Sequence, residues 1–403
     1  MARTKTGDSP WLLPVLLNAG FLQGAVYVVR PMVTYKAVDM GADPWLVGIV
    51  GATFALAPFI FAIQIGRWID RGNAGRALFY GTLIALAASV GLIFVENITL
   101  LLLAMPVLGI GHLLVMSGGQ TMTGNLSIDR NYEKNFGLLT FYASLGHAAG
   151  PFLGGLVADR GDLAVDVDSA FLLASLSFLV AAIVIWPLFE TKRPVSGTKE
   201  KIPKGKVSEV FAIRSFGSAI FVSGSVTAVI DVMLVFLPLL GRELGFSVTQ
   251  VGILLAVRAV ASMMVRLVLE PISTRFGMRV TLNFGTVFTI VATVAIAITG
   301  NYLVMAVLMF IVGFASGIGQ PLTMAWVSRI SRPEIRGLAI SIRLTSNRLG
   351  QVVLPALAGV LAASGAGTIF WLLAGMQGLS LVVTEKSLGK GKNGNTETDT
   401  EAE

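Results

Sequence analysis

The sequence predicts an all-α integral membrane protein in which twelve transmembrane helices form two pseudo-symmetric six-helix bundles. Three observations carry this prediction. Of 403 residues, 54% are hydrophobic and only 13% are charged, which is too apolar for a soluble domain of this size. Apolar segments of about twenty residues, the length that crosses about 30 Å of hydrocarbon, recur along the chain. An internal repeat then divides those segments into two halves.

The apolar segments set the expected helix positions. They are predicted near residues 11–36, 45–66, 77–95, 98–122, 137–158, 169–189, 214–240, 248–270, 280–299, 302–327, 338–363 and 367–384. The first segment carries Asn18, Gln23 and Arg30 and has no small-residue cleavage site. It is therefore expected to remain as a helix and not to be removed as a signal peptide.

The repeat has a fixed offset of 204 residues. GADPWLVGIVGATFAL at 41–56 aligns with GFSVTQVGILLAVRAV at 245–260, and LGHAAGPFLGG at 145–155 aligns with LGQVVLPALAG at 349–359. Repeats of this kind build transporters around a site near the membrane midplane. The expected organisation is an N-terminal bundle at 1–190, a cytoplasmic linker at 191–212, a C-terminal bundle at 213–388 and a disordered cytoplasmic tail at 389–403.

The net charge of +7 follows membrane topology. Lys and Arg concentrate in the termini and in alternate loops, so the positive-inside rule places both termini in the cytoplasm of a multi-pass protein of the cell membrane. The loop at 159–168 is acidic and falls on the opposite side. Nucleic acid is therefore not an expected partner, whereas the lipid bilayer is.

The amino-acid composition does not indicate a catalytic or metal-binding site. Cysteine is absent, and the two histidines, His112 and His147, lie on different predicted helices. No Gly-x-x-x-x-Gly-Lys-Ser/Thr loop is present to hold nucleotide phosphates. We therefore expect no catalytic residues, no metal site, no cofactor and no enzymatic activity, and transport would have to run on a proton or ion gradient.

The fifth predicted helix carries the most regular glycine pattern in the chain, GLLTFYASLGHAAGPFLGG. Three of its glycines recur every fourth residue and form a smooth face that another helix can approach closely. The proline removes one backbone donor and can bend the helix. The helix-packing residues are Gly137, Gly146, Gly150, Pro151, Gly154 and Gly155. In the repeat, three of these glycines are lost, so close approach is expected only in the N-terminal half.

This spacing resembles the fifth-helix antiporter motif of the major facilitator superfamily, in its branch of drug and proton antiporters. The resemblance implies two bundles that rock about a central cavity and export a substrate in exchange for protons. Exporters of the superfamily usually carry an arginine four residues before a helix 4 glycine, and here Met105 stands before Gly109.

The loop after the second predicted helix resembles the other signature of the superfamily, Gly-x-x-x-Asp-Arg-x-Gly-Arg, with two additional residues before its last glycine. Gly66, Asp70 and Arg71 occupy the signature positions. At a cytoplasmic helix end, Asp70 and Arg71 can form a charge clasp that biases one gate as it forms and breaks. Arg343, also near the cytoplasmic side, is the predicted gate contact for Asp70. The alternative is a topological anchor that acts through positive charge alone.

Ionisable residues within membrane helices are functional candidates because their insertion is costly. Gln23, Tyr27, Arg30 and Thr34 recur at helical spacing and form one polar stripe that would line a cavity. Asp231, which follows Ser223 and Thr227 on the seventh predicted helix, is the predicted proton site. Its alternative role is a structural ion pair with Arg30.

Arg258 and Arg348 are predicted to join the stripe in binding substrate, with Arg348 on a face with Ser341 and Thr345. Arginines favour an anionic group through charge-assisted hydrogen bonds. Structural capping of carbonyl groups is the alternative. His147 is a second candidate for proton coupling, because imidazole titrates near neutral pH.

These residues predict a monomeric secondary transporter that exports a small organic, anionic compound by proton antiport. The alternative is uptake or exchange of an organic or inorganic anion by a symporter, exchanger or uniporter. In that case the arginines dominate the site and Asp231 is structural.

Overall fold

The computed structural model describes residues 10–127, 131–161, 163–190, 206–332 and 335–389. Most of the predicted linker and all of the predicted tail after Gly389 lie outside these residues. The described residues are almost wholly helical. Their helices are α1 Leu12–Asp39, α2 Pro44–Trp68, α3 Ala74–Ile93, α4 Ile98–Leu126, α5 Tyr132–Ala158, α6 Val167–Ile185, α7 Val207–Phe211, α8 Phe216–Glu243, α9 Val248–Ile298, α10 Tyr302–Ile330, α11 Arg336–Ala362 and α12 Thr368–Gly389.

The all-α membrane fold class is confirmed, and the helix positions are consistent with twelve spans. By length and composition, eight helical stretches of the described residues can cross a membrane. Two of them, Pro44–Ile93 and Val248–Ile298, contain 50 and 51 residues and each holds two predicted segments. The helices α5 and α11 are not among the eight; each contains 27 residues, several of them polar.

Glycines with positive φ divide both long stretches. A π-helical turn at Ile69–Asn73 contains Gly72 at φ 91°, and α9 contains Gly277 at φ 79°. Glycine adopts these angles without the steric penalty of a Cβ atom. The side chain of Asn73 donates to the carbonyl oxygen of Trp68 at 2.8 Å and supports the first bend. Each glycine therefore separates two predicted segments.

The chain forms two compact units. Unit 1 comprises the described residues within Met1–Ala42, Ile49–Thr198 and Gly245–Ala256, and unit 2 comprises those within Asp43–Gly48, Lys199–Leu244 and Val257–Glu403. The first turns of α9 thus pack within unit 1, and the start of α2 packs within unit 2. The predicted bundle boundaries at 190 and 213 stay a prediction.

One packing contact of unit 1 has a repeat-related counterpart in unit 2. In unit 1, a Cβ atom placed on Gly252 would overlap the carbonyl oxygen of Pro151 and lie 3.4 Å from Cα of Gly155. The same contact in unit 2 pairs equivalent residues at the 204-residue offset: Gly48 with Pro355 and Gly359. Close approach is therefore not confined to the N-terminal half as predicted, because glycine and proline are kept at these positions in both repeats.

Lys36 lies in the last turn of α1 and is only 7% exposed. Its ammonium group donates to the carbonyl oxygen of Leu92 at 2.8 Å and to Asp168 Oδ1 at 3.1 Å. The long lysine side chain thus reaches back from the helix end to join α1, α3 and α6 within unit 1.

Candidate functional site

The polar stripe of α1 lies in the interior of unit 1. Gln23 is 6% exposed, Arg30 is 5% exposed and Thr34 is 3% exposed. Because the four stripe residues are three or four positions apart, they share one helix face. That face meets side chains of α2, α4 and α5.

Gln23 joins α1 to α4 through both ends of its amide. His112 Nε2 lies 3.0 Å from Gln23 Oε1, an oxygen that only accepts hydrogen bonds, so the imidazole is the donor. The amide nitrogen donates to the sulfur of Met116 at 3.2 Å. The ring of His112 lies 5.5 Å from that of Phe54 on α2. His112 thus belongs to the candidate site, together with Phe54 and Met116, which the sequence did not single out.

Tyr27 and Arg30 extend this cluster toward α5 and α2. The ring of Tyr27 stacks on His147 with centroids 4.1 Å apart and planes at 23°. The guanidinium of Arg30 lies 4.8 Å from the ring centroid of Phe54, in cation–π geometry. Both histidines of the chain therefore contact the α1 stripe. Together with Phe54 they form an aromatic and basic cluster inside unit 1.

A second polar cluster lies in unit 2, where the stripe of α8 faces α11. The hydroxyl of Ser223 donates to Asn347 Oδ1 at 3.0 Å. Further along the same two helices, Gln351 Nε2 donates to Asp231 Oδ2 at 2.7 Å. Arg348 Nη1 donates to Gln351 Oε1 at 3.0 Å. The amide of Gln351 therefore links the carboxylate to an arginine.

Asp231 is 4% exposed and is the only buried carboxylate residue among those that the structure describes. Its position on α8 follows Ser223 and Thr227 by eight and four residues, as the sequence predicted. Arg258 on α9 is also buried, at 3% exposure. Ser341, two turns before Arg348 on α11, is exposed, and its hydroxyl donates to the carbonyl oxygen of Gly337.

Arg343 was predicted as a gate contact, but its guanidinium is engaged on α10 within unit 2. Nη2 lies 3.1 Å from the carbonyl oxygen of Gln320, 3.0 Å from Gln320 Oε1 and 2.9 Å from Thr323 Oγ1. The amide nitrogen of Gln320 donates in turn to Thr227. Asp70 and Arg71 are exposed on their π-helical turn and form no ion pair with any residue of the described ranges. The gating roles of Gly66, Asp70, Arg71 and Arg343 stay predictions.

The glycine face of α5 packs directly on α1. A Cβ atom on Gly146 would lie 2.6 Å from the nitrogen of Gly24, and one on Gly150 would overlap the Gly24 carbonyl oxygen. A Cβ atom on Gly154 would lie 3.0 Å from Cγ1 of Val28. This contact holds Tyr27 against His147, so the packing motif also positions the unit 1 cluster. Gly137 is different, because no heavy atom lies within 4 Å of a Cβ placed there.

The loop after α5 adds a polar contact to this packing. The amide of Thr249, in the first turn of α9, lies 3.3 Å from Asp159 Oδ2, and its hydroxyl donates to the carbonyl oxygen of Gly155 at 3.2 Å. Hydrogen bonds from Ser247, Gly161 and Thr249 lower the pKa of Asp159 to about 2. The ionised carboxylate therefore caps the amino end of α9.

We expect Asp159→Asn to destabilise unit 1 at neutral pH but not in strong acid. The pKa of Asp159 in the folded protein lies below its unfolded value of about 3.9. The ionised carboxylate therefore stabilises the fold at any pH above about 3.9, and this stabilisation is lost as the pH falls toward about 2. The measurement is the difference in thermal unfolding midpoint between variant and wild type at pH 7 and near pH 2. Asp166, whose pKa is also lowered to about 2, is present in both proteins, so its contribution cancels in the difference between their unfolding midpoints. An equal difference at both pH values would contradict the prediction.

Comparison with known proteins places this geometry in context. The family model described as Major Facilitator Superfamily matches residues 15–239 and 217–399. Multidrug resistance protein 1 of Bacillus subtilis (strain 168) is 22% identical over 355 residues, which cover 87% of this chain and 89% of that protein. A bacterial homolog of the human lysosomal transporter Spinster has a TM-score of 0.73 at 15% identity, covering 95% of this chain and 96% of its own. The nucleoside transporter NupG has a TM-score of 0.73 at 14% identity, with 93% and 99% covered.

Proposed function

Because the chain belongs to the Major Facilitator Superfamily, and is thus a membrane transporter and not an enzyme, we propose that it exports a small organic anion in exchange for protons by alternating access. The single observation that carries this proposal is the hydrogen-bonded chain that runs in unit 2 from the buried Asp231 through Gln351 to Arg348. An ionisable group at bilayer depth is costly and marks ion or substrate pathways. Export is supported by the similarity to a protein named for multidrug resistance.

Asp231 is the proposed proton carrier. Gln351 has both a donor and an acceptor, so its amide can serve a carboxylate on one side and a guanidinium on the other. A gain or loss of charge at Asp231 changes the pull on the Gln351 amide and, through that amide, the hydrogen bond that holds Arg348. Proton binding and anion binding are thereby coupled through one side chain.

Anion recognition is assigned to the buried arginines and the α1 stripe. Arg30 and Arg258 are 5% and 3% exposed, and such guanidinium groups bind carboxylates through charge-assisted, often bidentate bonds. The aromatic faces of Tyr27 and His147 suit the organic part of the compound. His147 serves as a second proton-coupling residue, beside Asp231.

We expect Arg30→Ala and Arg258→Ala each to weaken anion binding by about tenfold to a hundredfold, since a hydrogen bond to a charged group contributes about 1.5–3 kcal/mol. Binding of a neutral analogue of the same shape should change little. Isothermal titration of benzoate and benzamide to the purified variants checks this. Equal losses for both probes would point to a structural role for these arginines.

The proposed exchange is tested in proteoliposomes that contain a pH-sensitive dye. A screen of carboxylates, phosphates and amphipathic cations should identify anions whose movement drives protons in the opposite direction. Movement of protons and substrate in the same direction would identify a symporter. Substrate movement without any proton movement would contradict proton coupling.

A second candidate function is uptake or exchange of an organic or inorganic anion. The observation that favours it is that the described residues hold three buried arginines, Arg30, Arg258 and Arg343, against one buried carboxylate, Asp231. In this case anion flux in proteoliposomes would run without a pH gradient and would survive neutralisation of Asp231.

The proposal places the protein in the cell membrane as a monomer with both termini in the cytoplasm. The two sequence halves, 1–190 and 213–388, would act as the moving bundles, and no cofactor would be required beyond the ion gradient. Cysteine substitutions in the linker at 191–212 and in the loop at 159–168, labelled with an impermeant reagent on intact cells, would report the two sides of the membrane.

A further inference from the structure

Arg343 on α11 is a buried guanidinium whose hydrogen bonds are one-sided. It is 2% exposed. All of its oxygen acceptors contact Nη2 and belong to Gln320 and Thr323. Nη1 reaches only the sulfur of Met324, at 3.8 Å, and the N–H of Nε has no acceptor among the described residues. Three of the five N–H donors therefore lack an oxygen acceptor.

The charge of Arg343 is also uncompensated. Across the described ranges no carboxylate forms an ion pair with it, and every acceptor that it contacts is a neutral amide or hydroxyl. Burying a cation without a counter-charge is strongly unfavourable, because the charge loses its hydration. Neutral acceptors on one side do not offset that cost, which makes an anion the missing partner.

Neighbouring polar side chains fix the guanidinium of Arg343, and one flexible side chain, that of Met324, lies over its remaining donors. Gln320 fixes Nη2 from α10 and is itself held by Thr227 on α8, so the arginine side chain is fixed before any ligand arrives. Met324, which lies against Nη1, is only partly buried. A methionine side chain has three rotatable bonds and repacks readily. Its movement would open the free donors without disturbing Gln320.

We propose that Arg343 binds the carboxylate of the transported compound, in place of the predicted gate contact with Asp70. This proposal rests on the proposed function and deepens it by naming the substrate group and the residue that receives it. One guanidinium without an ion-pair partner matches one negative charge. The planar set of N–H donors on arginine also matches the two oxygens of a carboxylate better than the ammonium group of lysine would. Met324 leaves Nη1 as the carboxylate arrives.

The test compares thermal unfolding of the purified full chain in benzoate and in neutral benzamide at constant ionic strength. Wild type should be stabilised by benzoate only. Arg343→Met should lose the benzoate shift and unfold at a higher temperature than wild type without benzoate, because the buried charge is gone. Arg275→Met, the same change at an exposed arginine, is the matched control and should keep the shift.

Three outcomes would overturn the assignment or part of it. An unchanged benzoate shift in Arg343→Met contradicts Arg343 alone and leaves the proposed exchange standing. Absence of a benzoate shift in wild type contradicts both the assignment and the anionic substrate. If Arg343→Met does not fold, Arg343→Lys decides: its charge is kept but the planar donors are lost, so benzoate binding should weaken about tenfold, and wild-type binding would contradict the proposal.

Discussion

Replacing Asp231 with asparagine should abolish proton-coupled flux while leaving the fold and the binding of anions in place. The substitution keeps the size of the side chain and an oxygen that can accept from Gln351, which lies 2.7 Å away in the wild type. It removes the group that can gain and lose a proton. The measurement is substrate-driven proton movement in proteoliposomes, compared with anion binding to the same preparation.

The matched control is Asp43→Asn, the same change at an exposed aspartate before α2. It should transport like wild type. The prediction also separates the two candidate functions, because anion exchange without protons would continue in Asp231→Asn. Unchanged pH-driven transport in that variant would show that Asp231 is structural and that the proton moves elsewhere, for which His147 is the next residue to change.

Much of the fold could be predicted from the sequence because membrane helices depend on local composition. An apolar run of about twenty residues satisfies its backbone hydrogen bonds internally and needs no distant partner to be recognised. The 204-residue repeat also relates packing contacts between the two halves of the sequence, since Gly48 and Gly252 make equivalent contacts in their own units. The contacts of Lys36 with Leu92 and Asp168 could not be predicted, because the sequence does not show which helices lie beside its long side chain.

The candidate site could be predicted only in part. The stripes of α1 and α8 were readable because several polar residues share one face. Gln320, Asn347 and Gln351 were missed, because a lone amide in an apolar helix has no evident partner until the neighbouring helix is placed. One signal was present: Arg343, Asn347 and Gln351 are spaced by four residues and share a face of α11.

The contacts of Gly150 predict that Gly150→Leu blocks transport. A side chain there would overlap the carbonyl oxygen of Gly24, and its Cβ would lie 3.0 Å from Cβ of Tyr27. Overpacking of this kind costs about 1–3 kcal/mol. The strain would push α1 away and separate Tyr27 from His147, which now stack at 4.1 Å. We therefore expect a folded protein with little or no substrate flux in proteoliposomes.

Gly137→Leu supplies the control within the same motif. No heavy atom lies within 4 Å of a Cβ at Gly137, so a leucine there should be accommodated and flux should stay near the wild-type value. If both variants lose flux, the glycines of α5 act through helix flexibility and not through close packing on α1. If neither loses flux, then α1 and α5 can separate without harm, and the stacked pair of Tyr27 and His147 cannot be needed for transport.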